Sequence, residues 1–257
     1  MRVFYLLISL FWWCSSSVVL SFTPKGARGG NRFFLDTADV DEWDALLPLG
    51  IFHGITTNPT LLERAGHKCT IPAVQALAKR ALSSHEESSW YCQEFMCQAW
   101  GSTADEMYDV GMQLSQMDRD RIVIKVPVTI EGTKAAARLI HNGVRVCLTA
   151  CYDSRQSLTA VGVGAEYLAP YLGRMTETGG KDGMEECKAM QKVANGLGGS
   201  TRILVASIRN VKDMQTLAEF GMDTFTFSPE IARAMFDEEL TDQAAQDFEE
   251  AAKRTQQ

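Results

Sequence analysis

The stretch RIVIKVPVT, residues 121–129, places a lysine in the middle of an otherwise apolar strand pattern. Aliphatic residues at nearly every position predict a strand that is buried on both faces, as in a parallel sheet. A buried ammonium group costs free energy unless it is paired. Lys125 therefore reaches the edge of the sheet, pairs with a carboxylate such as Asp36, or acts as an amine nucleophile.

Similar short apolar runs recur along the chain from Arg32 onward, and amphipathic helical patterns separate them. The predicted strands are residues 32–37, 52–57, 91–99, 121–128, 144–150, 165–170, 201–207 and 223–228. One helix, 103–117, begins at Thr103 with Glu106 three residues later, which is a capping-box pattern. Alternating strands and helices predict an α/β fold, a (β/α)8 TIM barrel, with a doubly wound open sheet as the alternative.

Polar residues lie inside, or at the exit of, seven of these eight strands. They are Asp36, Thr56, Asn58, Gln98, Lys125, Thr149, Tyr171 and Ser207. Each alone has a structural explanation, such as helix capping by Asp36 or turn formation at Asn58 before a proline. The active sites of (β/α)8 barrels lie at the C-terminal ends of the strands. The shared placement of these residues therefore predicts one catalytic site.

Composition and charge exclude several classes of function. The chain has 257 residues and a formal net charge of -7, whereas a nucleic-acid groove normally needs an excess of Lys and Arg. The seven cysteines form no CxxC pair and no Cys/His pattern of zinc spacing, so we expect free thiols and no metal. We also expect no organic cofactor, because the lysine chemistry that the sequence indicates does not need one.

The first residues differ from the rest, because the chain contains no Asp or Glu before Asp36. An apolar run, Val3–Cys14, is typical of a secretory signal peptide, and the basic, acid-free segment after it is typical of a transit peptide. We therefore predict a targeting presequence over residues 1–31 and a barrel domain with a C-terminal helix over 32–257. The bipartite pattern predicts a plastid location; plain secretion and an uncleaved membrane anchor are the alternatives, and we expect no membrane segment in the mature form.

A lysine on an apolar barrel strand suits one particular chemistry. Burial disfavours the ammonium form, and the neutral amine can attack a ketone to form a Schiff base. The resulting iminium withdraws electrons, so that the neighbouring carbon–carbon bond can break or form.

Several stretches resemble the transaldolase and fructose-6-phosphate aldolase family of class I, Schiff-base enzymes on a (β/α)8 barrel. These stretches are LDTADV (35–40), GITTNPTLL (54–62), IVIKVPVTIEG (122–132), GAEYLAPYLGR (164–174) and LVASIRN (204–210). They keep the family's order along the chain, and its shortness resembles the small subfamily that includes fructose-6-phosphate aldolase. The resemblance implies sugar phosphate substrates and carbohydrate metabolism.

The resemblance also implies a role for individual residues. It makes Lys125 the Schiff-base lysine, and it has Asp36 and Asn58 hold the hydroxyls of the dihydroxyacetone unit, with Asp36 also taking part in proton transfer. It further implies that Thr56 and Ala169 contact the substrate. The resemblance further implies that a water molecule is held by the side chains of Gln98, Thr149 and Tyr171. It also implies that the sugar phosphate is bound by the side chains of Arg174, Ser207 and Arg209.

Two of these positions bear on whether the enzyme is an aldolase or a transaldolase. Transaldolases usually carry Glu and Phe at the positions of Gln98 and Tyr171, so the pair in this chain is similar to the aldolase, which releases dihydroxyacetone. Arg209 within ASIRN is closer to transaldolases of the pentose phosphate pathway, which pass the three-carbon unit to an aldose phosphate. We predict an aldolase, with a transaldolase as the alternative.

The resemblance implies a ring-shaped homo-oligomer, which in the small subfamily often has ten subunits. The segment DQAAQDFEEAAKR (242–254) predicts an amphipathic helix with Ala245, Phe248 and Ala252 on one face. This helix packs either on a neighbouring subunit, as in the relatives, or against its own barrel.

Overall fold

A computed structural model describes residues 30–83 and 91–256 of the chain. Asn31–Gln257 form one compact unit. Almost all of the predicted presequence, residues 1–31, lies outside the described residues, so its targeting role stays a prediction. No helix in the described ranges combines the length and apolarity that crossing a bilayer requires.

Eight parallel strands form the core of this unit, as the sequence predicts. They are β1 (Arg32–Asp36), β2 (Gly54–Thr56), β3 (Glu94–Gln98), β4 (Ile122–Pro127), β5 (Arg145–Cys151), β6 (Tyr167–Pro170), β7 (Arg202–Ile203) and β8 (Thr224–Phe227). The strands from β1 to β7 pair in chain order, and β1 also pairs with β8. A parallel bridge between Val205, two residues after β7, and Phe225 in β8 links the two ends of this sheet. The sheet is therefore a closed (β/α)8 barrel, not an open sheet.

Helices separate the strands and surround the barrel. They are α1 (Val40–Leu46), α2 (Pro59–Arg64), α3 (Ile71–Leu82), α4 (Ala104–Ser115), α5 (Ile130–His141), α6 (Gln156–Val163), α7 (Leu172–Glu177), α8 (Gly183–Gly196), α9 (Val211–Glu219), α10 (Pro229–Ala234) and α11 (Glu239–Thr255). The capping box predicted at Thr103 and Glu106 starts α4. The cap of α1 comes from Asp39, which leaves Asp36 available for another role.

The barrel interior is filled by side chains that follow the period of two along each strand. Phe34, Met96, Val123 and Cys147 are fully buried there and belong to one cluster. Two residues further along the same four strands come Asp36, Gln98, Lys125 and Thr149. The apolar layer thus supports a polar layer at the C-terminal ends of the strands, which is where the predicted site residues lie.

A charged cluster closes the opposite, N-terminal end of the barrel. Glu94 is 5% exposed and lies 3.2 Å from Arg32 and 2.6 Å from Arg145. Its other carboxylate oxygen accepts a hydrogen bond from the Tyr167 hydroxyl at 2.7 Å. Burial would raise the pKa of Glu94, but contact with His53 and the charge of Arg145 outweigh it and lower the pKa to about 2. Glu94 is therefore ionised in the folded barrel at neutral pH.

The six cysteines among the described residues are free thiols, as predicted. Five of them are buried, including Cys147 and Cys151 on β5. Burial raises the pKa of both thiols to about 12. These cysteines thus pack as small neutral side chains.

Candidate active site

A cavity of about 460 Å³ opens at the C-terminal ends of the strands. This volume is usual for a site that binds a small molecule. Its wall includes ten of the eleven predicted site residues, namely Asp36, Asn58, Gln98, Lys125, Thr149, Ala169, Tyr171, Arg174, Ser207 and Arg209. The eleventh, Thr56, lies directly behind Asp36. The structure therefore brings together residues that are spread over more than 170 positions of the chain.

Lys125 lies in this wall and is 4% exposed. Its Nζ donates one hydrogen bond, to the backbone carbonyl of Thr57 at 3.2 Å. Within the described part of the chain no carboxylate lies within ion-pair distance of Nζ, so Lys125 neither pairs with Asp36 nor extends to the solvent. The amine of Lys125 is thus buried, donates one hydrogen bond and lies next to the cavity.

Asp36 is oriented by a chain of hydroxyl groups. Thr56 Oγ1 donates to Asp36 Oδ1 at 2.6 Å and lies 2.5 Å from Thr226 Oγ1. Because Thr56 is fully buried and donates to Asp36, the hydroxyl of Thr226 is the donor to Thr56. Thr56 therefore positions the carboxylate, and a direct contact between Thr56 and substrate is not required.

Asn58 performs two tasks at the start of α2. Its Oδ1 accepts a hydrogen bond from the Leu61 amide at 3.1 Å, which caps the helix. The same side chain lines the cavity. The cap uses only the amide oxygen, so the Nδ2 group is not needed for it and can donate to a ligand.

Thr149 and Tyr171 form another part of the cavity wall. Thr149 Oγ1 lies 3.2 Å from the Tyr171 hydroxyl. Gln98 faces Lys125 across the β3–β4 register. Directly after Thr149, the register between β5 and β6 shifts, and Ala150 has a φ of 56°. A left-handed residue other than glycine is strained, and such strain concentrates at functional sites.

The far wall of the cavity carries donors that suit a phosphate. Ser207 has a φ of 58°, and its buried Oγ has no hydrogen-bond partner among the described residues. The Arg174 and Arg209 guanidinium groups line the same wall, and Arg209 is held by Glu177 at 2.8 Å. A Cβ on Gly173 would lie 2.5 Å from the Ser207 carbonyl oxygen, so glycine permits the close approach of these segments. An unsatisfied hydroxyl beside two arginines is a site for an anion.

Tyr152, Arg64 and Ser228 also line the cavity, and the sequence interpretation did not single them out. Tyr152 lies in the loop that follows β5, two residues beyond the predicted strand 144–150, and no sequence pattern marks it. Arg64 is the last residue of α2 and has no strand pattern near it. In the described ranges no three His, Cys, Asp or Glu side chains come together as a group able to hold a metal.

Comparison with known proteins identifies the family of this barrel. The family model described as Transaldolase/Fructose-6-phosphate aldolase matches residues 33–257. A protein of Leptospira biflexa named "Probable transaldolase" is 30% identical over 225 residues, which cover 87% of this chain and 98% of the relative. Proteins with the same name from Jannaschia sp. and Ruegeria sp. are 32% and 31% identical over 219 residues, which cover 84% of this chain and 94% of each relative. The protein is therefore an enzyme that belongs to the transaldolase/fructose-6-phosphate aldolase family.

Proposed function

We propose that the protein is a class I aldolase that cleaves or forms fructose 6-phosphate through a Schiff base on Lys125. The products of cleavage are dihydroxyacetone and glyceraldehyde 3-phosphate. The observation that carries the proposal is the amine of Lys125, which is buried, lacks an ion-pair partner among the described residues and lies in the wall of the cavity. A structural lysine would gain more stability from a carboxylate partner or from exposure to solvent.

The proposed reaction begins when Lys125 Nζ adds to the C2 ketone of the sugar and water leaves. The iminium then accepts the electron pair of the C3–C4 bond as that bond breaks, and the C4 hydroxyl loses its proton. Glyceraldehyde 3-phosphate leaves at this stage. Protonation of the remaining enamine at C3 and attack of water on the imine then release dihydroxyacetone and regenerate the amine.

The proton carrier in this scheme is a water molecule bound by the side chains of Gln98, Thr149 and Tyr171. The 3.2 Å approach of Thr149 Oγ1 to the Tyr171 hydroxyl supports it, because the two oxygens share one end of the cavity. A phenol can pass a proton to or from such a water. Asp36, held by Thr56, faces the same cavity and is a hydrogen-bond acceptor for the hydroxyls of the three-carbon unit.

The substrate's phosphate is assigned to the far wall, at Arg174, Ser207 and Arg209. The buried Ser207 hydroxyl without a partner in the described ranges supports this assignment. Arginine presents planar pairs of donors that match phosphate oxygens. Loops after strands seven and eight of (β/α)8 barrels frequently bind phosphate, and Ser207 follows β7.

Gln98 and Tyr171 favour an aldolase over a transaldolase. A neutral amide at position 98 cannot remove a proton as a carboxylate would, whereas it can hold the water that hydrolyses the imine. A transaldolase is the second candidate, because the relatives reported above bear that name and Arg209 resembles the transaldolase pattern. In that case the three-carbon unit stays on Lys125 until an aldose phosphate such as erythrose 4-phosphate accepts it.

Product release without an acceptor separates the two reactions. With fructose 6-phosphate alone, we expect glyceraldehyde 3-phosphate to form over many turnovers, because the imine is hydrolysed in each one. The measurement follows this product in a coupled assay, first without and then with erythrose 4-phosphate. Release that stops at one equivalent and resumes only with the acceptor would instead identify a transaldolase.

In the isosteric Gln98→Glu variant we expect acceptor-independent release to fall relative to transfer.

We propose that α11 packs on a neighbouring subunit in a ring-shaped homo-oligomer. The helix buries none of its residues in its own chain, and Leu240 and Phe248 are 78% and 73% exposed. A helix that closed its own barrel would bury an apolar face, which α11 does not.

The oligomer proposal predicts the effect of a single charge on this helix. In Phe248→Glu we expect the assembly to dissociate into smaller species, because the carboxylate would be buried in the interface. Light scattering after size-exclusion chromatography measures the mass. The control is Glu250→Gln, two residues further along and on the opposite face of α11. A Phe248→Glu variant with the mass of the original protein would show that this face lies outside any interface.

A further inference from the structure

One aromatic residue in the wall of the cavity has no role in the reaction described above. Tyr152 lies between β5 and α6, and its ring packs edge-on against the ring of Tyr171, with the centroids 5.5 Å apart. The guanidinium of Arg174 lies 5.3 Å from the centroid of that same Tyr171 ring. Tyr152 thus contacts the residue assigned to proton transfer and lies beside the residue assigned to the phosphate.

Tyr152 also lies close to Arg174, because both side chains pack on the Tyr171 ring and line the same cavity. Interaction with the Tyr152 hydroxyl is the main cause of a raised pKa at Arg174. Arg174 is a long side chain on the short helix α7, so this contact restricts its range of positions.

The backbone around Tyr152 is held in place. The Tyr152 amide donates to Gln156 Oε1 at 2.8 Å. The next two residues are bound as well, since Lys181 Nζ lies 2.5 Å from Asp153 and the Ser154 amide donates to Glu186 at 2.6 Å. A loop tied at three successive residues gives Tyr152 a defined position, which a side chain that orients others requires.

We propose that Tyr152 is a positioning residue that holds Arg174 for the substrate's phosphate and Tyr171 for proton transfer. This inference rests on the proposed function and deepens it. The two parts of the side chain have separate tasks. The hydroxyl fixes Arg174 and so sets the preference for phosphorylated over unphosphorylated aldehydes. The ring supports Tyr171 and so affects the chemical step with either aldehyde.

Two substitutions of Tyr152 separate these tasks. Tyr152→Phe removes only the hydroxyl, so we expect KM for glyceraldehyde 3-phosphate to rise roughly three- to tenfold while kcat stays within about twofold. With glyceraldehyde, which has no phosphate, both constants should match those of the original protein. Tyr152→Leu also removes the ring, and we expect kcat to fall about tenfold with both aldehydes.

The experiment measures synthesis from dihydroxyacetone and each aldehyde with the full-length protein. The matched control is Tyr108→Phe, because Tyr108 stacks with Arg138 on the outer helices α4 and α5. If the original protein does not use free dihydroxyacetone, fructose 6-phosphate serves as donor, with erythrose 4-phosphate and erythrose as the paired acceptors. Borohydride trapping on the original protein reports separately whether the proposed Schiff-base function holds.

The outcomes are distinct. A loss in Tyr152→Phe that is confined to the phosphorylated aldehyde supports the inference. An equal loss with both aldehydes, or no loss with either, overturns it even if trapping proceeds normally. Failure of trapping in the original protein would instead overturn the proposed function.

Discussion

The Lys125→Met variant is expected to lose at least about 10³-fold in the rate of fructose 6-phosphate cleavage. Methionine has a similar length and is apolar, so it fits among the buried residues of β4 without a charge. It cannot form an imine, and no other step in the proposed reaction replaces that covalent bond. Treatment with borohydride in the presence of substrate should then leave the variant unmodified.

A matched control distinguishes the role of Lys125 from a general effect of removing a lysine. Lys134 is exposed on α5 and forms an ion pair with Glu131 at 2.7 Å. Lys134→Met should retain both trapping and turnover. A Lys125→Met variant that still forms the reduced adduct, at whatever lysine, would contradict the assignment. Circular dichroism and thermal unfolding of both variants would show whether the fold is kept.

The second large effect is expected at the other end of the barrel, where Glu94→Gln should lower the free energy of unfolding by about 3–5 kcal/mol. Arg32 and Arg145 would then lose the buried carboxylate that lies within 3.2 Å of each and would keep the more exposed carboxylate of Glu166. Urea titration at neutral pH measures the change. Glu185 forms an exposed ion pair with Lys188, so Glu185→Gln should cost less than about 1 kcal/mol.

The pH dependence of this stabilisation follows from the pKa of Glu94. The pKa falls from its usual value of 4.5 to about 2 in the folded protein, so the unfolded state binds the proton first. The contribution is therefore complete above about pH 4.5 and is lost as the pH falls toward 2. The difference between the original protein and Glu94→Gln should shrink over that range. A difference that is small at neutral pH, or that grows on acidification, would contradict this account of the cluster.

Much of the site was predictable because strand geometry is simple. A period of two along β1, β3, β4 and β5 puts residues 36, 98, 125 and 149 in one layer above the buried apolar layer. A lysine inside an apolar strand has few structural explanations, so a single sequence was enough to single it out. The closed barrel follows from the regular alternation of strands and helices.

Other features depended on contacts that the sequence does not display. Tyr152 is recognisable only through its packing on Tyr171, because an aromatic residue in a loop has no periodic pattern. The cluster around Glu94 joins the beginnings of β1, β3, β5 and β6, and nothing local indicates that Arg32 meets Tyr167 there. Only two residues of the predicted strand 201–207 form β7. Further along this segment, Val205 and Ala206 form isolated bridges to different partners, Phe225 in β8 and Tyr171 after β6.

The central claim is that Lys125 forms the Schiff base, and peptide mapping after reduction tests it most directly. The full-length protein is treated with fructose 6-phosphate and borohydride and then digested with trypsin. Trypsin normally cleaves after Lys125, whereas a reduced dihydroxyacetone adduct on Nζ blocks that cleavage. We predict that mass spectrometry will show residues 122–134 as one peptide carrying the adduct. An adduct on another lysine, or an unmodified peptide 122–125 despite turnover, would contradict the account.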